Sequence, residues 1–401
     1  MMSQDRILTT HVGSLIRPPA LVELLVKESQ GEQVDPKAVR NCIDKEVPKI
    51  VSRQVEAGID IVNDGEFGKA LSWTHYIAAR LSGVELRHDV MPEFTKARPG
   101  KDRTNFAEFY AEYEEQYGPA GMGKETFGGL MRMPTAVTGP LGYRPEEVRA
   151  DIARLKAAMK SAGVERGFLP VAAPVSAAAT LGNAYYKSSE ELMFGVAAAL
   201  AVEYKEIVDS GLTVQIDDGF LAPSYDGMVP PMSLNEYRSW VNVGVEALNH
   251  ALKGIPEDRI RYHVCWGSWN GPHSNDVNVR DILDLILKVN AGGYSLEMAN
   301  PRHEHEWRVW EKIRLPAGKV LYPGVVTHST NVVEHPELVA ERIVRLANLV
   351  GRENVVASTD CGFAQGPFAR RVHPSIQWAK LTSLAEGARI ATEELWGRKA
   401  A

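Results

Sequence analysis

Short apolar runs recur along the chain, and most are followed by a longer stretch of helical periodicity. The β-like runs are ILTTHVGS (7–14), IDIVNDGE (59–66), TAVTGP (135–140), GFLPVAAP (167–174), TVQIDDG (213–219), RIRYHVCWG (259–267), YSLEMAN (294–300), VLYPGVVTH (320–328) and NVVASTDCG (354–362). In RIRYHVCWG, Ile260, Tyr262, Val264 and Trp266 alternate with Arg261, His263, Cys265 and Gly267, the period of two expected of a strand. Amphipathic helices are predicted at 37–57, 145–162, 188–210, 233–252, 279–289 and 335–350. The last has Pro336 near its start and Gly351 at its close, as helix chemistry favours. Strands alternating with helices imply a parallel sheet. Nine runs are one more than a (β/α)8 TIM barrel holds, and 135–140 is expected to be the extra one, a hairpin or an extension. A doubly wound open sheet is the alternative. The chain has no G-x-G-x-x-G and no G-x-x-x-x-G-K-[ST], which counts against a nucleotide-binding version.

Residues 84–133 break this rhythm. They are polar and rich in Gly, Lys, Glu and aromatics, and Phe106, Phe109, Tyr110, Tyr113 and Tyr117 fall on one helical face. The expected organisation is one (β/α)8 barrel over 1–401 with 84–133 inserted in it. The inserted helix is read as packed on the barrel or, more sharply, as a lid or a subunit contact in a homo-oligomer.

Composition narrows the class. The chain has 401 residues, 44% hydrophobic and 24% charged, ordinary for a globular protein with a large core. A net charge of -6 without a basic run disfavours nucleic acid and anionic membrane as partners. No apolar run is long enough to span a bilayer, and MMSQDRILTT does not read as a signal peptide, so a cytoplasmic location is expected. Three cysteines, Cys42, Cys265 and Cys361, exclude a disulfide framework and leave metal binding or reactive thiols. Cys42 sits in a helical pattern with Val39, Ile43, Val47 and Ile50 and reads as core.

The candidate chemistry gathers at strand ends, where an α/β barrel places its active site. His263 and Cys265, two apart on one strand, project to the same side. The next strand ends in Glu297 and the last in Asp360–Cys361–Gly362. One histidine, two cysteines and a carboxylate suit Zn2+. Taken singly each has a plainer reading: a strand-end cysteine is commonly a small buried apolar group, and Glu297 could pair with Arg302. Two thiolates and a carboxylate would make the ion a poor Lewis acid towards carbonyls. They suit it to binding a thiol and keeping the thiolate nucleophilic.

The same segments, in order, resemble the catalytic barrel of cobalamin-independent methionine synthases and the short single-barrel relatives of that enzyme. TTHVGSLIRP (9–18), NDGEF (63–67), QIDD (215–218), HVCW (263–266), SLE (295–297), GVVTHS (324–329) and STDCG (358–362) carry the resemblance, which spans nearly the whole chain. It implies zinc ligands His263, Cys265, Glu297 and Cys361, and a thiol-substrate pocket lined by Ser14, Glu66 and Asp217. There the two carboxylates would hold an ammonium such as homocysteine carries. Their plainer readings are a helix-capping Ser14 and ion-paired acids. His328 matches the histidine that protonates the leaving group. Arg17 could contact a substrate carboxylate or sulfonate, or form an ion pair at the barrel mouth.

Departures from the family pattern bear on the donor. The large N-terminal half of full-length synthases has no counterpart. Asp-Glu-Pro becomes Asp217-Asp218-Gly219, and Asp-x-His-Ser becomes Val326-Thr327-His328-Ser329, which removes the acid partner of the histidine. The folate-stacking segment corresponds to APVSAAATLGNAYY (173–186), without Trp. That counts against folate and brings in a corrinoid protein or an epoxide as the alkyl source. ANPRHEHEW (299–307) is also unlike the synthases. Arg302, His303 and His305 could bind an anionic or hydroxyl-bearing substrate, or form a solvated loop paired to Glu304 and Glu306. The expected function is a zinc-dependent alkyl or methyl transferase that activates a small thiol. Epoxyalkane–coenzyme M transferase-like or C–S lyase chemistry at the same zinc is the alternative. A zinc hydrolase and a non-catalytic zinc-binding barrel stand behind these.

Overall fold

Eight parallel strands form the main sheet of the computed structural model, which describes residues 5–69, 72–96, 98–119, 124, 127–128, 131, 134–368 and 371–397. In chain order the strands are β1 (Leu8–Thr9), β2 (Ile61–Val62), β3 (Leu81–Leu86), β4 (Thr135–Tyr143), β5 (Arg166–Ala172), β6 (Gly182–Asn183), β7 (Thr213–Asp218), β8 (Ile260–Val264), β9 (Gly293–Leu296), β10 (Val320–Val326) and β11 (Val356–Thr359). The order in the main sheet is β1-β11-β10-β9-β8-β7-β5-β2. The Asp60 amide donates to Thr9 O at 3.1 Å across the seam between β1 and β2. The fold is therefore a (β/α)8 barrel, and the open-sheet alternative is set aside. β1 pairs with β11, Leu8 opposite Val356, so the two ends of the chain close the ring.

The ninth run is the extra strand, as expected. β4 pairs antiparallel with β3 and parallel with β6 in a separate three-stranded sheet. β3 escapes a pattern reading because LSGVEL is half exposed and interrupted by a glycine. The insertion expected at 84–133 is the excursion between these two strands. Of it, 97, 120–123, 125–126, 129–130 and 132–133 lie outside the described residues.

The helices follow local chemistry. Leu234–Ala251 opens on a capping box between Ser233 and Glu236, and Glu146–Ala162 closes on Gly163 in the left-handed conformation. Val279–Ile286 lays Val279, Ile282, Leu283, Leu285 and Ile286 onto the core. Each such side chain contributes roughly 1.5–3 kcal/mol by leaving water. Cys42 packs half-buried against the same core. No helix among the described residues is long and apolar enough to cross a membrane.

The barrel interior is filled in layers, and this positions the site. Leu8, Ile61, Phe168, Val320, Tyr322 and Val356 form an apolar plug. Above it lies the guanidinium of Arg261, 3.9 Å from the Phe168 ring centre and 5.0 Å from that of Tyr322. It donates to Thr10 Oγ1 and His11 O, both at 3.1 Å. Arg261, His263 and Cys265 alternate on one strand, so their side chains rise through the interior as one column. Outside the ring, Arg80 joins the barrel to the small sheet. Its two terminal nitrogens donate to Glu203 Oε1 at 2.8 Å and Asp151 Oδ2 at 2.5 Å, and Arg154 reaches the other Asp151 oxygen at 2.9 Å.

Candidate metal centre

His263, Cys265 and Cys361 converge at the mouth. One donor atom from each lies within 4.8 Å of the others, and all three residues are buried. β8 supplies His263, the residue just past its end is Cys265, and the turn after β11 supplies Cys361. His263 Nδ1 is 3.1 Å from Ser295 Oγ on β9. That contact fixes the ring and leaves Nε2 buried without a hydrogen-bond partner among the described residues. A tetrahedral ion with bonds of about 2.0–2.3 Å would set its N and S donors about 3.5–3.8 Å apart, inside the observed limit. Two sulfurs and an orphaned imidazole nitrogen therefore fit a thiophilic divalent cation.

The surroundings favour a thiolate. Cys265 Sγ accepts from the Gly267 amide at 3.3 Å, and Gln365 Nε2 lies 3.8 Å from Cys361 Sγ. Gly267 has φ +102, and a Cβ there would strike the Trp269 ring, so the turn requires glycine. Gly362 leaves room for Ser14 Oγ, which a Cβ would displace. The neighbouring Cys265 thiol and the charge of the His263 ring pull Cys361 well below the ordinary thiol range. Cys265, bonded to Cys361 and buried, is pushed well above it. The two buried thiols share one another's field and titrate as a unit.

Glu297 stands beside this trio, outside the tight group. Its Oε1 accepts from the Trp266 amide at 2.8 Å and its Oε2 from Asn300 Nδ2 at 2.9 Å. Burial, with Asp360 next to it, raises its pKa to about 8.

The residues expected to line a substrate pocket fall into two groups. Asp217, on β7, has its pKa raised to about 7 by burial, and it lies in the field of His263, Glu66, Lys69 and Cys361. Glu66 is held at φ +62, rare for a side-chain-bearing residue and a mark of local strain. Its Oε2 lies 3.0 Å from Lys69 Nζ. Ser14 Oγ accepts from the Ala364 amide at 3.2 Å, which leaves the hydroxyl proton for another partner. Arg17 does not face a substrate. Its terminal nitrogens donate to the carbonyls of Ala364, Glu66 and Lys69 at 3.2, 3.0 and 2.8 Å. The expected substrate contact gives way to a tie between the loops that carry Glu66 and Cys361, because three carbonyls converge on the guanidinium.

His328 lines a cavity of about 660 Å³ with Glu297, Asn300, Arg302 and Arg371. Neither of its ring nitrogens has a partner among the described residues, in keeping with the lost acid of its motif. Burial lowers its pKa to about 4, so it is neutral at pH 7 until a bound anion lifts it.

Lys69 and Arg371 were not singled out from the sequence. Lys69 follows Glu66 by three residues in NDGEFGK, a spacing that hints at a pair. Arg371 lies in FARRVHP, where nothing local says which arginine turns inward. The inserted helix Ala107–Tyr117 covers this side. Tyr110 OH accepts from Trp269 Nε1 at 3.1 Å, and Tyr113 OH accepts from the Asn270 amide at 3.1 Å and Arg371 Nη1 at 3.3 Å. Tyr110 and Tyr113 are buried, while Phe106, Phe109 and Tyr117 remain exposed.

Within 299–307, His303 turns inward and His305 outward. His303 Nδ1 lies 2.7 Å from Glu306 and Nε2 2.9 Å from Asp276, while Glu304 pairs with Arg342. Burial opposes the imidazolium, but hydrogen bonds to Asp276 and Glu306 outweigh it and raise the pKa to about 10. The folded value lies above the unfolded value of about 6.5, so this charge stabilises fully below about pH 6.5 and less as pH climbs towards 10. Calorimetric melting should show a midpoint that falls over that window, with a flatter fall in His303→Gln. An unchanged slope in the variant would refute the assignment.

Known proteins share this arrangement of chain. A model of the catalytic domain of cobalamin-independent synthases matches residues 177–377, about half of the chain. Methionine synthases from Saccharolobus solfataricus and Thermococcus kodakarensis are each 24% identical to it. The first match covers 96% of this chain and 95% of the relative, the second 96% and 94%. The solved B12-independent methionine synthase from Shewanella sp. W3-18-1, in complex with selenomethionine, shares the fold. Its TM-score is 0.71 at 21% identity, covering 98% of this chain and 100% of that one. A putative vitamin-B12 independent methionine synthase from Listeria monocytogenes gives 0.62 at 19%, covering 98% and 100%. With His263, Cys265, Glu297, His328 and Cys361 all inside the matched span, the chain belongs to the cobalamin-independent synthase family, a family of methyl-transferring enzymes.

Proposed function

We propose that this protein is a zinc-dependent thiol S-methyltransferase whose acceptor is a small thiol such as homocysteine. The observation that carries the reading is the convergence of His263, Cys265 and Cys361 with a buried, unpartnered His263 Nε2 aimed among them. His263, Cys265 and Cys361 would hold the ion, with Glu297 as an exchangeable fourth ligand that now rests on Trp266 and Asn300. A thiophilic divalent ion, when bound, lowers the pKa of a substrate thiol and keeps its sulfur nucleophilic.

The chain's own residues do the rest. Asp217 and Glu66, already in one another's field, accept charge-assisted hydrogen bonds from the acceptor's ammonium, and that cation draws Asp217 back to its ionised form. Ser14 donates its free hydroxyl proton to the same molecule. Arg17 holds the two loops in register. His328 faces the donor side, where its open nitrogens can hydrogen-bond the leaving group. The sequence around 173–186 disfavours folate as donor; a methyl donor is the default, with a corrinoid protein and an epoxide as the alkyl sources to screen. The names of the curated relatives support homocysteine as the acceptor.

The test measures metal and sulfur together. The purified protein should carry about one zinc per chain. Adding homocysteine should place one further sulfur around the zinc in X-ray absorption spectra. Zinc present with no new sulfur would sink the transferase reading and return attention to hydrolysis by metal-bound hydroxide.

A further inference from the structure

The cavity beside His328 differs in charge from the Asp217 and Glu66 side. Among the described residues Glu297 is the one acid that lines it, and both of its oxygens are already hydrogen-bonded. Arg302 and Arg371 line it as cations. Arg302 donates one nitrogen to Ser274 O at 3.0 Å and is otherwise exposed. Arg371 is the more unusual group. A guanidinium has five N–H donors in a planar fork. Among the described residues Arg371 spends one of them, on Tyr113 OH at 3.3 Å, while its Nε is buried without a partner.

Other inward arginines of this chain meet more partners, although Nε of Arg17 and of Arg261 is likewise buried without one among the described residues. Arg80 meets two carboxylates, Arg342 meets Glu304 and Val325 O, and Arg17 meets three carbonyls. The groups that act electrostatically on Arg371 are Tyr113 and the two thiols, Cys361 and Cys265. Arg371 lines the cavity, so its open donors are placed to meet a molecule bound there. Arg371 is half-buried, and its buried Nε is costly to leave unpaired. Planar oxyanions with two acceptors match its fork best.

We propose that Arg371 anchors an anionic oxyacid group, a carboxylate or a sulfonate, on the small molecule that reacts in this cavity. Tyr113 of the inserted helix holds the guanidinium from behind, which gives the insertion a part in substrate recognition. The inference rests on the thiol-transfer reading for its reaction but not for its binding. The anion could be carried by the thiol acceptor or by the alkyl donor, and two arms of one experiment separate these.

The experiment is titration calorimetry on the full-length, zinc-loaded protein and its Arg371→Gln and Arg371→Lys variants, with zinc content and melting midpoint measured for each. In the first arm the probes are 2-mercaptoethanesulfonate and uncharged 2-mercaptoethanol. An anchor for the thiol predicts that wild type prefers the sulfonate by about tenfold to a hundredfold, that Arg371→Gln loses the preference, and that Arg371→Lys keeps part of it. In the second arm ethanesulfonate, which has no thiol, is titrated after saturation with 2-mercaptoethanol. An anchor for the donor predicts that it binds wild type and that Arg371→Gln loses that binding. If neither arm depends on Arg371, the proposal is overturned. Should Arg371→Gln fail to fold, an Arg371→Lys variant indistinguishable from wild type in both arms, lacking the planar fork, overturns it as well. If no thiol binds wild type, the thiol-transfer reading fails by itself, and ethanesulfonate titrated alone still decides the anchor.

Discussion

Cys361→Ser is expected to lose most of the bound zinc and at least about a thousandfold in turnover, roughly 4 kcal/mol of transition-state stabilisation. The reason lies in the free protein. Cys361 is the thiol whose pKa the neighbouring Cys265 and His263 pull down, so it gives up its proton to a cation most readily. A serine hydroxyl at that point does not ionise near neutral pH and is a hard, weak ligand for a thiophilic ion. The turn itself should survive, because Gly362 and Ser14 keep their close contact and Phe363 still donates to Ser14 O. Glu297→Gln should behave more mildly, retaining zinc while changing its exchange rate, since that carboxylate rests on protein donors outside the tight trio. Metal analysis after dialysis and steady-state rates check both. A Cys361→Ser protein with full zinc and normal turnover would show that the assigned ligand is wrong.

The second large effect is on stability. Arg80→Met should lower the free energy of unfolding by about 3–5 kcal/mol in urea titrations. Arg80 is buried between Asp151 and Glu203, also buried, and its removal strands Glu203 at the junction of barrel and small sheet. Asp151 keeps Arg154 as a partner, so the larger share of the cost falls on Glu203. The double variant Arg80→Met/Glu203→Gln should therefore recover part of the loss, because a buried neutral amide is cheaper than an unpaired carboxylate. A loss below about 1 kcal/mol in the single variant would mean that water reaches these groups and that the network is worth little.

Both effects illustrate what local pattern can and cannot carry. The alternation in RIRYHVCWG put His263 and Cys265 on one side of a strand, and the ring of strands made that side the barrel interior. The strand–helix rhythm was enough to mark 135–140 as surplus to the barrel. It was not enough to find β3, whose half-exposed LSGVEL carries no clean period. Nor could it reveal the buried Arg80 triad, whose members lie far apart in sequence.

The site divides along the same line. Residues that end strands were legible because a barrel obliges strand ends to share one mouth, so His263, Cys265, Glu297 and Cys361 could be grouped before any coordinates, while the family resemblance marked His328. Residues in the turns beyond those ends were not. Arg17 and Arg371 both lie a few positions past a strand-end motif, and sequence offers no means of telling them apart. Arg17 meets three carbonyls and becomes a tie between loops; Arg371 meets a tyrosine and keeps donors open to the cavity. Even Glu297 has its setting decided by Trp266 and Asn300. The sequence by itself determined the barrel and the donor types at its mouth, because periodicity and strand order are local properties. Only the tertiary structure decided which charges are satisfied and which remain open, because that depends on partners brought together from distant parts of the chain.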